Sequence, residues 1–186
     1  MNMLIAGIAI FYGMHLVPLL PLKSRLQNTL GKLPYMGLFS LVSALGLGLM
    51  IVGKGAAEFI PLWEPISGAH WVPMVLMLPA LILICWAYLP CSMKTRLGHP
   101  MLQGIALFAI AHLFANGDLA SVLLIGSFGL YSVFTIIRLN RNSDSKASKV
   151  VNKTPAWNAL GIVMGVMAYA LAAVYHQQIT GMPIPH

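Results

Sequence analysis

The chain has 186 residues, of which 59% are hydrophobic and only 8% charged. Soluble domains carry roughly a quarter charged residues, so this composition cannot cover a water-facing surface. A soluble globular fold is excluded, and so is disorder, which needs high charge and low hydrophobicity. The net charge of +7 would suit a nucleic-acid binder in a soluble protein. Its distribution along this chain points to a membrane and to no nucleic-acid partner. The two cysteines, Cys85 and Cys91, form neither a disulfide framework nor a zinc spacing and read as packing thiols.

A spanning helix needs about 20 apolar residues, and six apolar segments follow in order. The first runs from about Met3 to Leu20. No positive n-region precedes it and no small-residue cleavage site follows, so it reads as a retained span. A polar stretch, Lys23 to Lys32, separates it from the second, about Tyr35 to Gly53. The third runs from about Trp71 to Leu89. The fourth, Pro100 to Ala115, is short, and Asn116-Gly117-Asp118 parts it from the fifth, about Leu119 to Leu139. A Ser-, Asn- and Lys-rich linker then leads to the sixth, about Trp157 to Tyr175. None of the segments alternates with period two, as barrel strands would. In lipid each backbone group must be satisfied within its own segment, which makes them helices.

The predicted fold is all-α: a polytopic transmembrane bundle of about six spans. It comprises a five-span core over 1–139, a basic linker over 140–156, a sixth span over 157–176 and a short tail over 177–186. With the N-terminus outside, the inner loops hold Lys23, Arg25, Lys32, Lys94, Arg96, Arg138, Arg141, Lys146, Lys149 and Lys153, ten of the eleven cations. Only Lys54 falls outside, and this asymmetry places both termini on the outer side. Trp63 and Trp71 then lie near the outer interface; Trp86, Tyr88 and Trp157 lie near the inner one. Membrane lipids are the expected surroundings, with the linker cations near anionic head groups. In the sixth span Gly161, Gly165, Ala168 and Ala172 form one small-residue stripe. Such a stripe allows close helix approach, within the monomer or between two copies.

Ionisable groups inside a bilayer are functional candidates. Of the six histidines, His70, His176 and His186 lie at or beyond span ends, where solvation explains them. His15 and His112 fall inside spans. His15 follows Phe11 and Tyr12 by one turn, and Tyr12 could bond the imidazole or flank a flat ligand. His112 shares a helix stripe with Phe108 and Asn116. Two such histidines with aromatics alongside could ligate haem b in an apolar bundle. They could equally be imidazoles hydrogen-bonded to backbone or hydroxyls. Depth separates the pair: His15 lies roughly 17 Å below the outer surface and His112 about 6 Å, a gap that tilt closes only in part. His99 opens the fourth span at Pro100, at the inner surface, and faces largely away from His112. Gly117 reads as a left-handed helix terminator. Asp118 reads as an N-cap with Ser121 three residues on, or as a partner for His112. No phosphate loop, dinucleotide fingerprint, HExxH or intramembrane carboxylate pair is present, so no catalytic residue is assigned.

The run Ala111-His112-Leu113-Phe114-Ala115-Asn116-Gly117-Asp118-Leu119-Ala120-Ser121 resembles the signature of the NnrU family of membrane proteins. Gly13-Met14-His15-Leu16-Val17-Pro18, Tyr35-Met36-Gly37-Leu38-Phe39-Ser40 and Gly98-His99-Pro100-Met101 resemble it too. The resemblance covers about residues 1 to 140. It implies a multi-pass protein of the bacterial inner membrane, linked to denitrification and to nitrogen-oxide reductase proteins as partners. The family is similar to 15-cis-zeta-carotene isomerase, a haem b enzyme whose histidine motifs look like those around His15 and His112. That similarity implies haem b as cofactor and these two histidines as metal ligands, with Tyr12, His99, Asn116 and Asp118 around them. The isomerase has a cysteine where this chain has Ala109, which removes an alternative ligand. A more distant resemblance, through His99-Pro100 and Asn116, is to isoprenylcysteine methyltransferases, which use S-adenosylmethionine. The Arg and paired glutamates of those enzymes have no match around Arg138. The resemblances therefore imply a redox or isomerase-like haem protein. The alternatives are an enzyme on a lipidic substrate and a non-enzymatic assembly factor.

Overall fold

The computed structural model describes residues 1–141 and 155–180. Its helices are α1 (Asn2–Leu16), α2 (Leu22–Leu30), α3 (Lys32–Gly55), α4 (Trp71–Tyr88), α5 (Ser92–Leu97), α6 (Pro100–Ala115), α7 (Leu119–Arg141), α8 (Pro155–Val174) and α9 (His176–Thr180). Among the described residues there is no strand, only an isolated bridge between Pro61 and Asp118. Five segments are long and apolar enough to cross a membrane: 2–19, 32–55, 71–88, 119–141 and 155–174. The sixth apolar helix, α6, has 16 residues. At 1.5 Å per residue it is about 24 Å long, short of the roughly 30 Å hydrocarbon.

The span boundaries follow local chemistry. Pro18 has no amide hydrogen to continue the α-helical ladder, so α1 gives way to a 3-10 turn at Val17–Leu19. The polar stretch after it is helical, contrary to its reading as a mere connection. Leu22, Leu26 and Leu30 recur every four residues and give α2 one apolar stripe. A second short helix, α5, lies in the loop between the third and fourth apolar segments. Residues 142–154 and 181–186 lie outside the described residues. They include Lys146, Lys149, Lys153 and His186, with most of the linker and tail.

The chain forms two compact units. One comprises Met1–Leu62 with Asp118–Ser127, the other Trp63–Gly117 with Phe128–His186. In the first, α1 packs along α3, and the seam is made by glycines. A Cβ on Gly46 would lie 2.8 Å from the Phe11 amide nitrogen, and one on Gly7 would lie 2.6 Å from the Met50 nitrogen. A Cβ on Gly53 would collide with the Leu4 backbone. As residue numbers rise on α1 their partners fall on α3, so the helices are antiparallel. Lipid is as apolar as leucine, so association in a membrane depends on such close backbone packing.

In the second unit α4 packs against α6 and α8. Gly104 of α6 abuts the Ala80 carbonyl, and Gly129 of α7 abuts buried Ala109. The stripe on α8 packs onto α4: Gly161 faces the Trp86 indole and Gly165 faces Ile82. Trp86 donates from Nε1 to the Asn158 carbonyl at 3.0 Å. The Asn158 amide exchanges hydrogen bonds with Ser92 and accepts one from the Met93 amide. Tyr169 donates to the Met74 carbonyl at 2.9 Å. The small-residue stripe is therefore used within the monomer.

Candidate functional site

His15 is in the last turn of α1. Its Nδ1 lies 2.8 Å from the carbonyl oxygen of Phe11, one turn earlier. A carbonyl can only accept, so Nδ1 carries a proton, and in the neutral tautomer this leaves Nε2 as the acceptor end of the ring. The imidazole stacks on Phe11 at 4.0 Å between centroids and meets Phe39 of α3 at 5.1 Å. Tyr12 stands edge-on to Phe11 at 5.1 Å. One turn before Phe39 on α3, Tyr35 is 4% exposed, and its buried hydroxyl has no hydrogen-bond partner among the described residues. One turn after Phe39, the Ser43 hydroxyl is in the same state. Buried hydroxyls almost always bond something, protein or otherwise.

His112 repeats this pattern in the other unit. It lies in the last turn of α6, with Nδ1 3.1 Å from the Phe108 carbonyl and its ring 4.3 Å from the Phe108 ring. The shared motif, Phe-x-x-x-His with Nδ1 on the i−4 carbonyl, fixes the same tautomer twice. Asn116 engages the backbone of His112 and not its ring. Both its main-chain nitrogen, at 2.9 Å, and its Nδ2, at 2.8 Å, donate to the His112 carbonyl. That double contact terminates α6 by satisfying an exposed end carbonyl.

Gly117 does not adopt the expected left-handed conformation; the positive-φ glycines are Gly31, Gly68 and Gly98. The physical reason for glycine here is proximity. A Cβ would strike the Trp63 carbonyl, and the Trp63 amide donates to the Gly117 oxygen at 3.2 Å.

Asp118 caps α7 as its sequence context predicts: Oδ1 accepts the Ser121 amide hydrogen at 2.9 Å. The same oxygen pairs with Lys54 Nζ at 2.8 Å. Its carboxylate is thus engaged by Lys54 and Ser121. Burial alone would raise its pKa, but the Lys54 ammonium and the Ser121 donors outweigh burial and hold it below the ordinary carboxylate value. Nearby, the Leu119 amide donates to the Ile60 carbonyl at 2.9 Å. His99 precedes Pro100 and closes the first turn of α6 through its carbonyl, which accepts from the Gln103 amide at 3.0 Å. Among the described residues no group of three or more His, Cys, Asp or Glu could hold a metal ion by itself.

Sequence reading gave no site role to Phe39, Tyr35 or Lys54. The first two share the 35-39-43 stripe on α3, a signal open to inspection. Lys54 is the lone cation predicted outside, where Asp118 is also predicted, and opposite charges on one membrane face are natural partners.

Five helical segments long and apolar enough to cross a bilayer define a polytopic α-helical membrane protein. The chain belongs to the NnrU protein family, whose model matches residues 3–184. No match is found among curated proteins or among solved structures.

Proposed function

We propose that this NnrU-family protein binds haem b through imidazole nitrogen, with His15 and His112 as the ligands, and serves a redox role in nitrogen-oxide reduction. The observation that carries this reading is the twinned histidine geometry. A metal-ligating histidine characteristically donates its second ring N–H to a carbonyl, which fixes the tautomer and raises ligand basicity. Both histidines do this, and Nε2 is the nitrogen that would meet iron. Other observations are compatible: Phe11, Phe39 and Phe108 offer apolar faces of the kind that suit a porphyrin. The Tyr35 and Ser43 hydroxyls are buried polar groups without a hydrogen-bond partner among the described residues. Haem would supply one-electron chemistry at iron, tuned by axial ligand and burial. The residues of this chain would hold it and keep it dry. The association with nitrogen-oxide reduction, and with reductase proteins as partners, rests on the family resemblance. The setting is proposed as the bacterial inner membrane with both termini periplasmic, the orientation favoured by the cation asymmetry.

The test is the absorption spectrum of detergent-purified protein from haem-replete cells. A Soret band is expected, lost or converted to a five-coordinate form in His15→Ala and in His112→Ala. If one haem takes both imidazoles, the wild-type spectrum is six-coordinate and low-spin. A colourless wild-type protein overturns the proposal and returns both histidines to packing roles, as in a non-enzymatic assembly factor.

A further inference from the structure

We propose that the end of α7 is a binding site for the phosphate of an anionic phospholipid, held by Arg138 and Arg141. This inference is independent of haem. The structure has a shallow, open cleft there, lined by Phe134, Ile137, Arg138 and Arg141. These positions follow the i, i+3, i+4, i+7 rule and so share one face of the helix. Each guanidinium stands one turn beyond an apolar side chain, Arg138 after Phe134 and Arg141 after Ile137. The order along the helix is therefore apolar first and cationic last.

That order matches a lipid. The segment 119–141 is one of the candidate membrane spans and ends at Arg141, so the two arginines occupy the level of the head groups. Phe134 and Ile137, 50% and 47% exposed, lie toward the acyl region. Three residues of helix separate the guanidinium-bearing positions by about 4.5 Å of rise, a spacing that lets both reach one phosphate. Guanidinium recognises phosphate by paired N–H donors in a plane. It has five such donors, so a phosphate and a protein acceptor can share it. A soluble phosphate would use the arginines and leave the apolar half of the cleft unexplained. An anionic phospholipid uses both halves.

Cations near an anionic lipid surface are each worth about 1 kcal/mol, or about fivefold in affinity. Removing both should weaken binding about 25-fold. The experiment is native mass spectrometry of the full chain in detergent, with phosphatidylglycerol or phosphatidylcholine added at equal concentration. One phosphatidylglycerol should be retained in preference to phosphatidylcholine. Retention should fall about 25-fold in Arg138→Gln/Arg141→Gln. It should survive in Lys94→Gln/Arg96→Gln, which removes the same charge from α5. Should the double glutamine variant fail to fold, Arg138→Lys/Arg141→Lys keeps the charge, loses the planar fork and should bind severalfold more weakly than wild type. Equal retention of the two lipids by wild type overturns the proposal. So does undiminished retention in a folded glutamine variant, and so does displacement of the lipid by millimolar inorganic phosphate.

Discussion

Replacing Lys54 by methionine strands a carboxylate. The Asp118 side chain is 4% exposed and that of Lys54 27%, so the pair sits where burial is deep on one side and partial on the other. Breaking a fully buried pair costs about 3–5 kcal/mol. Here Ser121 still donates to Asp118 and water reaches Lys54, so about 2–3 kcal/mol is expected. Asp118→Asn keeps an acceptor for Ser121 and leaves a partly solvated ammonium, at a cost of about 1–2 kcal/mol. The double variant Lys54→Met/Asp118→Asn has no unpaired charge and should lose no more than Lys54→Met alone. The assay is reversible unfolding in mixed micelles by dodecyl sulfate titration, followed by tryptophan fluorescence. Losses that simply add in the double variant would refute coupling between the two side chains. Acid gives a second reading. Because the folded pKa of Asp118 is depressed, the unfolded chain takes up its proton first as pH falls. The contribution is complete above the unfolded carboxylate value, about 3.9, and fades as pH drops through it toward the folded value. Asp118→Asn should lack this part of the acid sensitivity.

The glycine seams predict opposite signs for the same substitution. Gly46→Ala, whose Cβ would press on Phe11, should destabilise by about 1–2 kcal/mol through overpacking. Gly48→Ala, two residues on and with nothing within 4 Å, should be neutral or stabilising by up to about 1 kcal/mol from helix propensity. Matching effects would mean that α1 does not pack where described. Gly161→Leu should lower stability by displacing Trp86 while the particle mass by light scattering stays constant. A change in mass with unchanged stability would assign the stripe to an interface between copies.

Much of the architecture was legible because it rests on composition. Pro100–Ala115 coincides with its apolar run, and the other spans differ by a few residues at their ends. Lys32 and Leu33 extend α3 beyond the run from Tyr35, since a helix can begin in the polar interface before entering lipid. What composition could not give was pairing. Gly46 and Gly53 stand seven apart, an interval that returns to one helix face, yet only the partner helix shows that this face meets α1. The site was legible as types and not as contacts. His15 and His112 stood out because ionisable groups are rare in apolar segments. The Phe11 and Phe108 carbonyl bonds follow from i, i+4 spacing. The link from His15 to Phe39 crosses two helices, and no local pattern announces it. Asp118 was readable as a cap from Ser121, whereas its pairing with Lys54 spans 64 residues of chain.

The glycine seam between α1 and α3 also sets how this contact responds to temperature. Its touching atoms are largely backbone, so forming it freezes few side-chain rotamers. In a membrane it exchanges lipid for helix and releases almost no water from apolar surface. The heat-capacity change that makes water-driven burial fade on cooling is therefore nearly absent from this seam. The α1–α3 contact should hold in the cold, where a soluble hydrophobic core of the same area would loosen.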